Sequence, residues 1–245
     1  MSSRVPLVVG GGAVYAASTY LAYLYLRPPP LDLSEDEARG CHGKAATAAI
    51  YNRLAEEYDG HMGREEWMSG ITSARQELIS KASGDVLEVF VGTGRNFEHY
   101  SSKVASLRGV DISPEMVQVA KAKLPVGALT VDNVMLEAGD AVASAGAGRK
   151  YDFVVDTFGL CSTDDPVGLL RAMAGACKPG GRLLLLEHGR SRAWGWISSY
   201  LDRNAPRHAR QWGCWYNKDI IALVEEAGLE VDEEEVRHWG TTYLI

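Results

Sequence analysis

The stretch DVLEVFVGTGRN, residues 85–96, reads as a buried strand that runs into a glycine-rich turn and then a helix. Its apolar run is bounded by glycine, as in a strand covered on both faces, and Gly92 and Gly94 permit a close backbone approach that side chains would block. This is the layout of a nucleotide-binding βα junction. Two features separate it from a dinucleotide turn. Phe90 stands where many such turns place their first glycine, and Phe97 fills the third-glycine position. Glu88 ends the strand on the ligand side, where its charge repels phosphate.

Outward from this turn the chain alternates. Strands are expected at 85–90, 106–111, 134–137, 151–156 and 182–188, with helices at 114–124 and 167–177 between some of them. A last helix at 219–227 ends at Gly228 and leads to two final strands, LEVDEEEV (229–236) and GTTYLI (240–245). Upstream, apolar residues at helical spacing predict one helix over 46–62 and a second over 64–82. Strands alternating with helices make an α/β, doubly wound, seven-stranded Rossmann-like sheet, whose ligand sits at the carboxyl ends of the strands.

The acids at those ends decide which ligand. Asp111, in GVDISPEM, closes the second strand, where a carboxylate accepts both hydroxyls of a ribose. Asp140, in LEAGDA, follows the third and suits the adenine amino group, with Ala141 adding a backbone contact. With Glu88 they favour a nucleoside that carries positive charge and no phosphate, which describes S-adenosylmethionine. Taken together, VLEVFVGTGRN, GVDISPEM, LEAGDA, YDFVVDTFGL and KPGGRLLLLEHG resemble the successive motifs of class I S-adenosylmethionine-dependent methyltransferases, over about residues 45–245. TFGLCST, EHGRS and WGCWYNKDI look like membrane-anchored mitochondrial methyltransferase-like proteins. The resemblance implies that Glu88, Gly92, Gly94, Asp111 and Asp140 hold the cofactor, with Thr93, Asn96 and Ile112 lining its pocket.

On the acceptor side, Asp156 and Thr157 end the fourth strand beside the place where the methyl group projects. Asp156 is equally read as a cap. His188, after Glu187, suits a general base near neutral pH or a structural donor. Cys161 reads as a small core residue, or else an accepting thiol, and Tyr58 and Asp59 sit in helices that resemble a cofactor lid.

The remaining signals concern location and partners. A composition 46% hydrophobic and 23% charged supports a buried core, and a net charge of −7 argues against DNA or RNA as partners. The four cysteines form no CxxC pair, so neither metal ligation nor a disulfide framework is expected. Residues 5–26 carry no charge, and 22 residues at the helical rise span about 33 Å, enough for one transmembrane helix. Prolines 28–30 stop it, and a polar linker over 31–43 precedes the catalytic domain, residues 44–245. The lipid bilayer is thus an expected partner, and subunits of a mitochondrial membrane complex are another, in a non-catalytic alternative. The resemblance implies the mitochondrial inner membrane, single-pass, with the endoplasmic reticulum membrane as the alternative. Finally, 189–218 holds six cationic side chains against Asp202, and four of the six tryptophans. Such a mixture fits a membrane surface, a cap over an apolar acceptor, a docking face for protein or RNA, or plainly an insertion packed on its own sheet.

Overall fold

The computed structural model describes residues 43–245. The expected anchor at 5–26 and the linker up to residue 42 lie outside the described residues. Among the described residues no helix is long and apolar enough to cross a membrane. The chain opens with α1 (Lys44–Ser69) and α2 (Ile71–Ile79). There follow β1 (Gly84–Val89), β2 (Val104–Asp111), α3 (Pro114–Ala122), β3 (Val134–Ala138) and α4 (Ala141–Ala145). Then come β4 (Tyr151–Thr157), α5 (Pro166–Ala176), β5 (Cys177–His188), α6 (Gly195–Trp212), α7 (Ile220–Glu226), β6 (Glu235–Arg237) and β7 (Thr242–Leu244).

Seven strands lie in the order β3-β2-β1-β4-β5-β7-β6. The first five run parallel, and β7 pairs antiparallel with both β5 and β6. Side chains alternate across a strand, so β1 feeds two cores. Val86 packs with Leu78, Val117 and Val155 on one face, whereas Leu87 and Val89 pack with Leu169, Met173, Ile220 and Val224 on the other. Reversal of strand order beside β1 opens a crevice at the carboxyl ends of β1, β2 and β4.

Several elements depart from the expectation. The first helix does not stop before Gly63. It runs through Gly60 and Gly63 to Gly70, which takes a left-handed φ of 81° and caps it. A helical glycine costs only about 1 kcal/mol, which packing overrides. β5 begins at Cys177, five residues early, because Cys177 pairs with Tyr151 and a bulge through Gly180, at φ 78°, leads on to the pairing of Arg182 with Phe153. The strand expected over 229–236 shrinks to Glu235–Arg237, since its acidic first half has no neighbour to pair with. Asp140 caps an additional short helix, α4, through the Ala143 amide. The Trp/Arg-rich segment forms α6, an 18-residue helix that accommodates Pro206.

Candidate active site

Gly92 and Gly94 both adopt positive φ, 53° and 77°, and the Val91 amide still bonds to the Val110 carbonyl of β2. A Cβ on Gly92 would meet nothing nearer than the Phe90 carbonyl at 3.9 Å, so the missing side chain leaves open space. A Cβ on Gly94 would stand 2.5 Å from the Phe97 ring. Phe97 is fully buried in the core, which explains the ring at the third-glycine position: it packs under the turn, and Gly94 makes room for it. Phe90 leaves the strand with φ 51°, a conformation that costs a non-glycine residue about 1–2 kcal/mol.

Beneath this turn lies a buried polar network. Glu88 accepts from Asn96 Nδ2 at 2.8 Å and from the Tyr100 hydroxyl at 2.7 Å. Burial pushes its carboxyl up to about 7, against those two hydrogen bonds. Asn96 also donates to Thr157 Oγ1 at 3.1 Å. Arg75, buried on α2, donates to Asn96 Oδ1 at 2.7 Å, to Thr157 Oγ1 at 2.9 Å and to Glu66 Oε1 at 2.7 Å. Asn96 therefore links Glu88 to Thr157, and Arg75, a residue that the sequence reading missed, holds Asn96 and Thr157 together. Thr93 is buried as well, donating to Asp59 of α1 at 2.7 Å.

Asp111 ends β2 and accepts from the amides of Gly92 and Ser113, each at 2.9 Å. Burial raises its carboxyl to about 6 despite these bonds. Asp111, Ile112, Gly92, Phe90, Met116 and Thr157 line an inner cavity of about 50 Å³, roofed by Thr47, Tyr51 and Tyr58 of α1. Asp140 and Ala141 stand next in line, but they do not reach this cavity. Lys44, at the start of α1, forms an ion pair with Asp140 and covers that end of the crevice.

Beyond Phe158 the crevice widens into an outer cavity of about 510 Å³, lined by Tyr51, Tyr58, Met62, Phe158, His188 and Trp212, among others. Tyr51, Tyr58 and Phe158 belong to both cavities. A larger cavity, about 680 Å³, runs along β5 and the C-terminus and holds none of the expected site residues.

Asp156 ends β4, where the sequence places it, but its side chain turns away from the crevice. Its carboxyl is fully buried, lines neither of the two adjoining cavities and lies against Glu187. Burial, then the charges beside it, holds Asp156 well above the ordinary carboxylate range, and burial together with Asp156 does the same to Glu187. Asp156 therefore does not face the space in which an acceptor would sit. Gly159 packs on it so closely that a Cβ there would lie 2.2 Å from Asp156 Oδ1 and 2.3 Å from the Phe90 ring. Gly159→Ala is therefore expected to destabilise the fold by about 2–3 kcal/mol, as overpacking does. Chemical denaturation measures this, and a change below about 0.5 kcal/mol would contradict the packing described.

His188 does line the outer cavity, but its Nε2 lies 2.8 Å from Cys214 Sγ. Cys161 is buried beside them. Burial alone would raise the Cys161 thiol, but Cys214 and the His188 ring overturn this and hold it well below the usual thiol range. Sequence spacing hid this grouping, because the three residues come from three separate segments.

A seven-stranded sheet with its last strand reversed, a glycine turn after β1 and a carboxylate at the end of β2 together define the class I methyltransferase architecture. The sequence matches the methyltransferase-domain family over residues 58–234, and the chain belongs to that family, whose methyl donor is S-adenosylmethionine. The mitochondrial methyltransferase OMS1 of Saccharomyces cerevisiae is 35% identical over 214 residues, covering 81% of this chain and 45% of the relative. The demethylmenaquinone methyltransferase of Renibacterium salmoninarum is 30% identical over 145 residues, 57% of each chain. The chain thus spans about half the length of the curated relatives it matches. Among solved structures, a SAM-dependent methyltransferase from Leishmania major superposes with a TM-score of 0.62 at 16% identity, covering 87% of both chains. The DhpI–SAH complex gives 0.52 at 22% identity, covering 61% of this chain and 71% of DhpI.

Proposed function

We propose that this chain transfers a methyl group from S-adenosylmethionine to an apolar acceptor at a membrane surface. The observation that carries this reading is the pair of adjoining cavities that share Tyr51, Tyr58 and Phe158 as their common wall. The inner one presents the Asp111 carboxylate and the bare backbone of Gly92, a donor set that suits a ribose and a closely approaching nucleoside. The bound cofactor supplies a methyl group already activated on a sulfonium. Gly92, Gly94, Asp111 and Ile112 would hold it, while Glu88, Thr93 and Asn96 fix the turn from beneath. Asp140 and Ala141 would reach it once Lys44 moves off. Aromatic walls in the outer cavity exclude water and hold the acceptor against the shared wall, which is where positioning accelerates an in-line transfer.

The membrane part of the proposal draws on residues 5–26 and on an aromatic rim. Trp67, Trp194, Trp196 and Trp239 are 48–75% exposed. Trp194 and Trp239 lie 6.5 Å apart, Ser191 Oγ bonds to the Trp239 carbonyl, and His238 Nε2 bonds to the Ser69 carbonyl two residues after Trp67. Ser69 also lines the outer cavity. Tryptophans clustered near such an opening, with exposed Arg192 beside them, suit the lipid headgroup layer. OMS1 is named as mitochondrial, which supports a mitochondrial location, and the uncharged run at 5–26 supports a membrane there, for which we propose the inner one.

Calorimetric titration with S-adenosylhomocysteine tests the cofactor half, and the absence of binding at millimolar ligand would sink it. The narrowness of the inner cavity is the one observation that favours a non-catalytic subunit, and the same titration separates the two. For the membrane half, lipids brominated along their acyl chains should quench the tryptophan emission of the reconstituted chain. Replacing Trp194, Trp196 and Trp239 together with serine should remove most of that quenching. Unchanged quenching would put the rim in water.

A further inference from the structure

We propose that Cys161, His188 and Cys214 form a binding site for a zinc ion, or a thiophilic divalent cation of the same class, with one coordination position open to the outer cavity. Cys161 Sγ, Cys214 Sγ and one imidazole nitrogen of His188 all lie within 4.8 Å of one another, and the His188 Nε2 to Cys214 Sγ distance is 2.8 Å. In a tetrahedral zinc site, with Zn–S near 2.3 Å and Zn–N near 2.0 Å, the donor atoms stand roughly 3.5–3.8 Å apart. Donor shifts on the order of 1 Å therefore close the site.

The three donors are held in register by backbone rather than by chance side-chain contact. His188 ends β5, where it pairs with Thr242 of β7. Cys161 sits in a 3₁₀ turn, Leu160–Ser162, that follows β4. The loop after α6 carries Cys214, and its next amide, Trp215, donates to the Cys161 carbonyl at 2.9 Å. Lys218, from the same loop, donates to the carbonyls of Leu160 at 2.8 Å and Thr163 at 2.5 Å. Both cysteine-bearing segments are thus clamped to each other on either side of the cluster.

Donor chemistry selects the ion. Two thiolates and a neutral imidazole balance a divalent charge, so the loaded site is neutral where bare thiolates at buried positions would not be. With no carboxylate in the cluster, calcium and magnesium are excluded. Two sulfurs and one nitrogen leave a fourth tetrahedral position. All three residues line the outer cavity, and that position faces it. Three protein ligands plus an open position is the pattern of reactive zinc sites, as opposed to closed structural ones. Water, or a donor atom of whatever occupies the cavity, completes the shell. His188 then acts as a ligand, and the general-base role expected from its sequence position lapses. The site is defined by its donors alone and does not depend on the methyl-transfer reading.

The test uses the full chain, purified in detergent under reducing conditions, loaded with zinc and dialysed. Metal analysis is expected to find one zinc per chain. Cys161→Ala, Cys214→Ala and His188→Ala should each reduce this to background, and Cys177→Ala, whose thiol lies outside the cluster, should retain it. Loading the unsubstituted chain with cobalt(II) should give the intense visible absorption of a tetrahedral thiolate site, a readout that needs no variant to fold. Binding of S-adenosylhomocysteine, measured on the same samples, reports the methyltransferase site separately. A chain that takes up no stoichiometric zinc or tetrahedral cobalt overturns the proposal. So does a Cys161–Cys214 disulfide recovered on peptide mapping of the reduced preparation, or full zinc retention by the Cys161→Ala chain.

Discussion

Arg75→Ala should lower the unfolding free energy by about 3–5 kcal/mol, the range for removing one partner of a buried ion pair. Arg75 is 3% exposed and serves three acceptors, Glu66, Asn96 and Thr157, while its guanidinium lies 5.5 Å from the centre of the Phe158 ring. Removing it leaves Glu66 with Arg95 alone, at 2.8 Å, and frees the Asn96 carbonyl oxygen inside the fold. Burial works to raise the Glu66 carboxyl, and Arg75 with Arg95 pulls it below its ordinary value instead. A depressed carboxylate adds stability above its unfolded pKa and loses it as pH falls through the folded one. The destabilisation should therefore be largest at neutral pH and shrink in acid. Arg75→Lys keeps the charge without the fork and should recover only part of the loss. Guanidinium unfolding at pH 7 reads this directly, and a loss under 1 kcal/mol for Arg75→Ala would refute the network as described.

Asp111→Asn should weaken S-adenosylhomocysteine binding by roughly a hundredfold, about 2.7 kcal/mol. Hydrogen bonds to a charged acceptor contribute about 1.5–3 kcal/mol each, and the ribose offers two hydroxyls. Asparagine brings an NH₂ group to a place where the Gly92 and Ser113 amides already donate, so the turn loses an acceptor as well. The wild-type chain should show a matching pH profile. Asp111 titrates at about 6, and the hydroxyls need its ionised form. Affinity should fall by up to about tenfold per pH unit below 6. Stability of the ligand-free chain moves the other way. A carboxyl raised by burial contributes stability below its unfolded value, about 3.9, and loses it as pH rises through about 6. Calorimetry from pH 5 to 8 separates the two trends, and affinity flat across that range would remove Asp111 from the ribose site.

The glycine turn and the strand-end acids were legible because each depends on a short local pattern: an apolar run, a glycine pair, a carboxylate at a strand's end. Asp111 lies where that pattern puts it. Asp156 matched the same pattern yet turned inward, because Gly159 admits it beneath the chain and Glu187 stands beside it. Nothing local distinguishes those two outcomes. Arg75 and Tyr100 escaped notice for a related reason: their partners are Glu66, Asn96, Thr157 and Glu88, and only the packing of α2 and the turn against the strand ends brings them together. α6 was obscured by its own composition, since the residues it buries, Ser198, Ala205 and Ala209, are too small to mark a core face and Pro206 reads as a breaker.

Consider, finally, how α1 is fastened across the crevice. Lys44 pairs with Asp140, Ser113 Oγ donates to Asn52 at 2.6 Å, Tyr51 shares a hydrogen with Ser162 at 2.9 Å, and Asp59 holds Thr93 and Lys123. The fastenings fall along most of the helix, and the space beneath is about 50 Å³, far less than a nucleoside with an amino-acid tail. Ligand entry is therefore expected to take two steps, a lifting of the helix whose rate is independent of ligand, followed by binding. Observed association rates should climb with S-adenosylhomocysteine and level off at that lifting frequency, and Lys44→Ala should raise the plateau.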